Sequence, residues 1–218
     1  KKVPVSWANN SLNTLAEAYK EGRGVLLLTP HLGCFEVTAQ AISDSFSPEH
    51  GSLTVLYRPS KKASLAAVME ASRGRPGLDT APTTLAGVRQ MIKALRAGRA
   101  VGLLPDQVPP DGMGQWAPFF GKPAYTMTLS ARLAHSGQAV PTLLWGERLS
   151  WGRGFVVHVY SVGLPDGAVL STDAHEAAGQ INAAMEVLVR ERPDQYLWSY
   201  ARYKSPKGSV TSAPEAGG

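Results

Sequence analysis

The sequence predicts an α/β protein with a mostly parallel central sheet, flanked by helices on both faces, in a single domain. Its 218 residues are enough for one substantial domain. A hydrophobic content of 44% with 18% charged residues is typical of a globular protein. Short apolar runs alternate with amphipathic segments along the chain, and such alternation favours parallel strands joined by crossover helices.

The strands are predicted from continuous apolar runs, which are typical of strands buried on both faces of a sheet. They cover residues 25–29, 53–57 and 100–104, followed by 139–148 and 154–161. The helices are predicted from apolar residues at helical spacing. They cover 11–22, a segment from near Gly33 to a turn-rich link at 45–52, then 62–74, 83–98, 125–137 and 173–193. A Gly/Pro-rich loop is predicted at 105–123, and a disordered tail at 205–218.

Composition narrows the classes of partner. The formal net charge of +5 favours acidic partners, which include phosphates, an anionic membrane surface and an acidic carrier protein. Nucleic acid is not expected, because no dense Lys/Arg stripe is interleaved with aromatic residues. The single cysteine, Cys34, has no partner for an internal disulfide. No apolar stretch approaches the ~20 residues that span a bilayer, and the first residues lack the apolar segment of a signal peptide.

Polar side chains follow three of the predicted strands. His31 comes after strand 25–29, Arg58 after strand 53–57, and Asp106 and Gln107 after strand 100–104. The carboxyl ends of parallel strands lie at one edge of a sheet, where open α/β folds build their sites. Any one of these strand ends is ordinary, since proline and charged residues are common there. The three together favour a site.

His31 and Glu36 are five residues apart, and their spacing alone allows two interpretations. A neutral imidazole accepts a proton near pH 7, and a carboxylate can fix its tautomer, so the pair is a candidate catalytic dyad. Alternatively, His31 caps a helix and Glu36 interacts with the positive end of its dipole.

Other catalytic and cofactor motifs are absent from the sequence. There is no G-x-S-x-G, no G-x-G-x-x-G after a strand, and no second histidine to complete a zinc helix at "HEAAG". Neither a metal nor a redox cofactor is therefore predicted.

Five blocks occur in a fixed order: "PHLGCFE", "LYRP", "LLPDQ", "WAPFFGKPA" and "QYLWSYARYK". In this order the chain resembles the bacterial lipid A biosynthesis acyltransferases of the lauroyl/myristoyl type, a branch of the larger lysophospholipid acyltransferase group. The resemblance covers residues 12–204. It departs from the usual pattern at Cys34-Phe35, often Asn-Trp, and at Tyr200 and Tyr203, where His and Phe are frequent.

The resemblance implies a glycerolipid acyltransferase-like fold over residues 1–204. It implies transfer of a fatty acyl chain from acyl carrier protein, or acyl-CoA, to a hydroxyl of a phosphorylated glycolipid such as a lipid A precursor, or of a lysophospholipid. It also implies a location at the cytoplasmic face of the bacterial inner membrane, either peripheral or through an anchoring segment that this sequence does not show.

The resemblance further assigns roles to residues. His31 is the expected general base, with no covalent enzyme intermediate, and Glu36 of the same block is expected to orient it. Asp106 is a rival for that role, because its strand end could lie beside that of His31. The expected substrate-binding residues are Arg58, Gln107, Phe119, Phe120 and Gly121. Arg58 would bind a phosphate or help stabilise the developing oxyanion, and the last three would wall an acyl groove or, alternatively, form a hydrophobic plug under a long loop.

Two other functions remain open at the level of sequence. One is a hydrolase in which the same dyad activates water against a thioester or ester. The other is a non-catalytic module that binds an anionic lipid through Arg58, Lys61 and Lys62.

Overall fold

The computed structural model describes residues 3–57 and 76–208. Its strands are β1 (Val5–Trp7), β2 (Val25–Leu28), β3 (Leu53–Tyr57), β4 (Leu78–Pro82), β5 (Ala100–Leu103), β6 (Gly114–Phe119), β7 (Lys122–Met127), β8 (Val140–Arg148) and β9 (Phe155–Val162). Its helices are α1 (Ser11–Lys20), α2 (Phe35–His50), α3 (Leu85–Arg96), α4 (Leu129–Gly137) and α5 (Ala174–Glu191).

Among the described residues, seven strands form the central sheet, in the order β1-β9-β8-β2-β5-β3-β4. Neighbouring strands are parallel except β8 and β9, which form an antiparallel pair. Strands β6 and β7 form a separate antiparallel hairpin. The predicted single α/β domain with a mostly parallel sheet is confirmed.

Helices cover both faces of the sheet, and strand β2 has apolar side chains that contact the helices on each face. All four of its residues are buried. Because side chains alternate along a strand, Val25 and Leu27 join one apolar cluster with residues of α1 and α2. Leu26 and Leu28 join the other, with residues of α3, α4 and α5. A continuous apolar run is thus required at this position.

The turn-rich link predicted at 45–52 is wrong, because α2 continues through Pro48 to His50. Packing outweighs the local turn signal here. Phe46 is buried and stacks on Tyr19 of α1, with ring centroids 5.0 Å apart. His50 stacks on the same tyrosine at 4.5 Å. The end of α2 is therefore held as a helix against α1.

The loop predicted at 105–123 and the start of the helix at 125–137 are also wrong. Residues 114–127 form the β6–β7 hairpin, and α4 begins only at Leu129. Tyr125 pairs with Trp116 across the hairpin, and their rings meet edge to face with centroids 5.4 Å apart. Aromatic and β-branched residues at these positions favour strands. The short strands β1 and β4 were not predicted. The helix predicted at 62–74 lies outside the described residues, as does the tail beyond residue 208.

Candidate active site

His31 and Asp106 meet at the carboxyl edge of the sheet. Strands β2 and β5 are parallel neighbours, with Leu28 opposite Leu103, and each side chain follows its strand by three residues. The Nδ1 atom of His31 lies 2.7 Å from Oδ1 of Asp106. The backbone N–H of His31 donates to Oδ2 of the same carboxylate at 2.9 Å. One carboxylate therefore fixes both the backbone and the ring of the histidine.

Asp106 is buried, with only 3% of its surface exposed. The side chains of Tyr196 and Arg202 lie close enough to interact with it electrostatically. Burial raises the pKa of Tyr196, and the neighbouring Asp106 carboxylate raises it further. Burial lowers the pKa of Arg202, and Asp106 opposes that shift. The aspartate is thus flanked by a neutral phenol and a buried cation.

The other ring nitrogen of His31, Nε2, is the atom that can act as a base. A carboxylate only accepts hydrogen bonds, so Nδ1 carries the proton in the contact with Asp106 and Nε2 of the neutral ring holds a lone pair. The side-chain amide nitrogen of Gln107 lies 3.1 Å from Nε2 and can donate to it. The His31 side chain is 16% exposed. The contact with Asp106 therefore favours the tautomer in which Nε2 is available to accept a proton.

Glu36 occupies a different position. It lies in the first turn of α2 and is exposed. The preceding Phe35 packs edge-on against the His31 ring, with centroids 5.1 Å apart. Because Nδ1 of His31 is bonded to Asp106, the structure favours Asp106 over Glu36 as the residue that orients the imidazole. The alternative that His31 caps the helix finds no support, since Cys34 occupies the N-cap position.

The loop that carries His31 is fixed by residues 195–197. The backbone N–H of Leu197 donates to the carbonyl of His31 at 3.0 Å, and that of Gly33 donates to the carbonyl of Gln195 at 3.0 Å. Gly33 has a φ of 59°, and a β-carbon there would overlap the carbonyl oxygen of Gly146. The sequence indicated no role for Gln195 or Leu197, which were recognisable only as part of the late block "QYLWSYARYK".

An apolar cavity of about 100 Å³ lies between the sheet and α2, on the side of the His31 loop. Phe35 and Glu36 line it, and so do Leu27, Ile42, Leu53 and Leu144, which belong to the core cluster of that face. The cavity is therefore an apolar space that begins beside the candidate base.

The sequence predicted that Phe119, Phe120 and Gly121 lie in a long loop, and this is wrong. They form the tip of the β6–β7 hairpin, where Phe120 and Gly121 both have positive φ. A β-carbon at Gly121 would meet nothing within 4 Å, so the constraint that favours glycine there is the positive φ of the turn. Phe119 is buried in the core cluster on the α5 side of the sheet, on the face opposite the 100 Å³ cavity.

Arg202 is a buried residue that sequence reasoning missed. It donates to the carbonyl of Tyr125 at 2.8 Å, to Oγ1 of Thr126 at 2.7 Å and to Oδ1 of Asn182 at 3.1 Å. Its guanidinium carbon lies 5.2 Å from the centre of the Phe119 ring. One side chain therefore ties the β6–β7 hairpin, α5 and the late segment together near Asp106.

The remaining predicted site residue, Arg58, lies outside the described residues, together with Lys61 and Lys62. Within residues 3–57 and 76–208, no group of three or more His, Cys, Asp or Glu side chains is arranged to hold a metal ion. In the same part of the chain, none of the helices combines the length and hydropathy required to cross a membrane.

The amino-acid sequence is similar to a family of known proteins. Residues 5–205 match the family described as bacterial lipid A biosynthesis acyltransferase. The chain is 26% identical over 198 residues to the lipid A biosynthesis palmitoleoyltransferase of Escherichia coli (strain K12), an alignment that covers 89% of this chain and 60% of the relative. It is 23% identical over 198 residues to lipid A biosynthesis acyltransferase 2 of Shigella flexneri, covering 91% of this chain and 61% of the relative. The chain thus spans about three fifths of the length of these relatives.

Proposed function

Because the chain belongs to the bacterial lipid A biosynthesis acyltransferases, we propose that it transfers a fatty acyl chain from a thioester donor to a hydroxyl of a phosphorylated glycolipid, such as a lipid A precursor. The observation that carries the proposal is the pairing of His31 with buried Asp106, which leaves Nε2 as a base at the carboxyl edge of the sheet.

The proposed reaction is a direct transfer. Nε2 of His31 takes the proton of the acceptor hydroxyl as its oxygen attacks the thioester carbonyl carbon. The new C–O bond forms, the C–S bond breaks, and the imidazolium returns the proton to the leaving thiolate. Asp106 stabilises the imidazolium in between. General-base assistance is typically worth ~10²–10⁴-fold, so orientation and charge stabilisation supply the rest of the rate.

Gln107 is proposed to contact the substrate at the reacting centre. Its amide nitrogen lies at hydrogen-bonding distance from Nε2, where the acceptor hydroxyl must bind. When the hydroxyl displaces it, the amide can donate to the acceptor or to the oxygen on which negative charge develops. Arg58 keeps its proposed role as a phosphate ligand, since a planar guanidinium is suited to that group.

The apolar cavity beneath α2 is proposed to receive the acyl chain. It begins beside Phe35 and Glu36 and is lined by core side chains of that face. This location differs from the groove predicted at the Phe119–Gly121 hairpin, which packs on the opposite face. Phe119, Phe120 and Gly121 remain a second candidate for substrate contact.

Acyl carrier protein is the proposed donor, with acyl-CoA as the alternative. The net charge of +5 favours an acidic carrier. We place the reaction at the cytoplasmic face of the inner membrane, where a lipid acceptor and a cytoplasmic donor can meet.

The test is incubation of the protein with acyl carrier thioesters or acyl-CoA and a panel of phosphoglycolipid and lysophospholipid acceptors, followed by mass spectrometry. We expect an acylated glycolipid whose formation is abolished by His31→Ala. Omission of the acceptor separates transfer from hydrolysis, because a hydrolase releases free fatty acid at the same rate without it. His31→Gln, with its unfolding transition measured alongside, controls for loss of structure. Near-normal turnover by a folded His31 variant would contradict the mechanism.

A further inference from the structure

The β8–β9 turn lies at the same end of the sheet as His31. Strand β8 is parallel to β2, and Gly146 near its carboxyl end pairs with Gly33. Strand β9 returns antiparallel, with Phe155 opposite Arg148. The turn at residues 149–154 therefore projects beyond the edge of the sheet at which the candidate active site is built.

Trp151 at the tip of this turn is 95% exposed. Its backbone is left-handed, with φ 60° and ψ 27°, a conformation that bulky side chains rarely adopt. The turn is nevertheless held in place, because the guanidinium of Arg153 donates to the carbonyl oxygen and to Oγ of Ser150, both at 3.1 Å. The turn therefore presents a large aromatic ring to solvent in an ordered position.

Further apolar side chains are exposed at the same end. Val3 precedes β1, which begins beside Phe155. Leu197 is hydrogen-bonded to His31, and the adjacent Trp198 is 56% exposed. Arg148 precedes the turn, and Arg153 lies within it. The acidic residues nearby, Glu147 and Asp194, are both paired with Arg192, at 2.8 and 3.2 Å. At this end of the molecule, exposed aromatic rings therefore lie beside three arginines, Arg148, Arg153 and Arg192, that outnumber the two carboxylates.

The turn is connected rigidly to the candidate active site. The side chain of Gln195 accepts from the backbone N–H of Arg148 at 2.9 Å and donates to its carbonyl at 3.0 Å. The same residue bonds through its backbone to Gly33, and Leu197 bonds to His31. Hydrogen bonds therefore link Arg148, where the turn begins, to the loop that carries His31.

We propose that the β8–β9 turn docks on an anionic membrane, with the Trp151 ring in the interfacial layer and Arg148 and Arg153 at lipid phosphates. The inference rests on the proposed function, in which the acceptor is a lipid that resides in a bilayer. Trp in the interfacial layer and Arg near anionic headgroups are the composition that membrane surfaces select. A stable protein partner would instead need a continuous patch of roughly 800 Å² on each side, whereas these exposed side chains come from separate segments along one edge. Docking in this way turns the His31 edge toward the bilayer.

The experiment is cosedimentation of the protein with vesicles of phosphatidylethanolamine and phosphatidylglycerol, and with vesicles of phosphatidylcholine alone. We expect binding to the anionic vesicles, weakened about tenfold by Trp151→Ala, which removes one aromatic ring from the interface. Tyr160→Ala is the matched control, because Tyr160 is also an exposed aromatic residue but lies in the half of β9 that runs away from this edge. An unchanged affinity of Trp151→Ala would overturn the proposal.

A second measurement separates this inference from the proposed function. Vesicle binding requires no acyl transfer, so it is tested even if no product is formed. Where transfer is observed, Trp151→Ala should reduce turnover of an acceptor embedded in vesicles while leaving turnover of the same acceptor in detergent micelles within twofold. If Trp151→Ala lowers turnover equally in micelles, and only with the carrier-protein donor, the turn docks the donor and the membrane proposal is wrong.

Discussion

The carboxylate of Asp106 accepts two hydrogen bonds from a single residue, His31, which lies 75 positions earlier in the chain. One bond comes from the backbone N–H and the other from the imidazole. The first fixes the backbone of the histidine, and the second fixes the orientation and tautomer of its ring. Because Asp106 is buried, this arrangement is not exchanged for water. Removal of the charge should therefore affect the base more than removal of the charge at Glu36.

We predict that Asp106→Asn lowers kcat by about 10²–10⁴-fold with little change in KM, because an amide cannot accept from both His31 donors and cannot stabilise an imidazolium. Glu36→Gln is the matched comparison and should cost less. Initial rates of acyl transfer for the two variants check the prediction. A larger loss for Glu36→Gln than for Asp106→Asn would mean that the acid of the first block, and not Asp106, supports the base.

The extent to which this site could be predicted from the sequence depends on how far apart its parts are. The strands that end at His31 and Asp106 were recognisable as apolar runs, and the parallel arrangement brought their ends to one edge. The choice between Glu36 and Asp106 remained open, because it depends on the order of strands: β5 lies directly beside β2, which no local pattern specifies. Arg202 and Gln195 were missed for a similar reason. Their partners are distant in sequence, and no local pattern distinguishes either residue within the late block.

The prediction for residues 114–127 was wrong for a different reason. Its residues include prolines and glycines that locally indicate a loop, yet Tyr125, Thr126 and Asn182 supply the pairing and hydrogen bonds that make it a strand pair packed on α5. Tertiary contacts overrode the local signal.

Gly33 and Gly121 offer a test of how tightly the His31 loop is packed. Both have positive φ, 59° and 73°, so alanine at either position costs about 1–2 kcal/mol from backbone strain. At Gly33 the added methyl would also overlap the carbonyl of Gly146, whereas at Gly121 it would meet open space. We predict that Gly33→Ala lowers the free energy of unfolding clearly more than Gly121→Ala, as measured by denaturant titration. Equal losses would show that the strand β8 carbonyl moves aside easily.

Arg202 should contribute to the stability of the fold through the hydrogen bonds of its guanidinium. Its replacement by Met removes a donor from the Tyr125 carbonyl and leaves the acceptor oxygens of Thr126 and Asn182 only the hydrogen bonds between their own side chains. We predict a loss of about 3–5 kcal/mol in the free energy of unfolding. Arg202→Lys should recover only part of it, because an ammonium group cannot reproduce the planar fork. Arg190→Ala is the control: that exposed residue pairs with Glu186 at 2.8 Å, and its loss should cost less than about 1 kcal/mol. A mild effect of Arg202→Met would mean that the three acceptors find other donors.

Two buried tyrosines should make the protein sensitive to alkali. Burial raises the pKa of Tyr19, and burial together with Asp106 raises the pKa of Tyr196. Above the ordinary tyrosine pKa of about 10, the unfolded chain loses these protons while the folded protein keeps them, so the free energy of unfolding falls as the pH rises. Each group contributes a slope of about 1.4 kcal/mol per pH unit in that window and nothing below it. We therefore predict that Tyr19→Phe and Tyr196→Phe each reduce the decline measured by denaturant titration between pH 10 and 11. Any constant difference seen at pH 7 reports the lost hydroxyl alone. A decline as steep in both variants as in the parent protein would contradict the prediction and would assign the alkaline sensitivity to other groups.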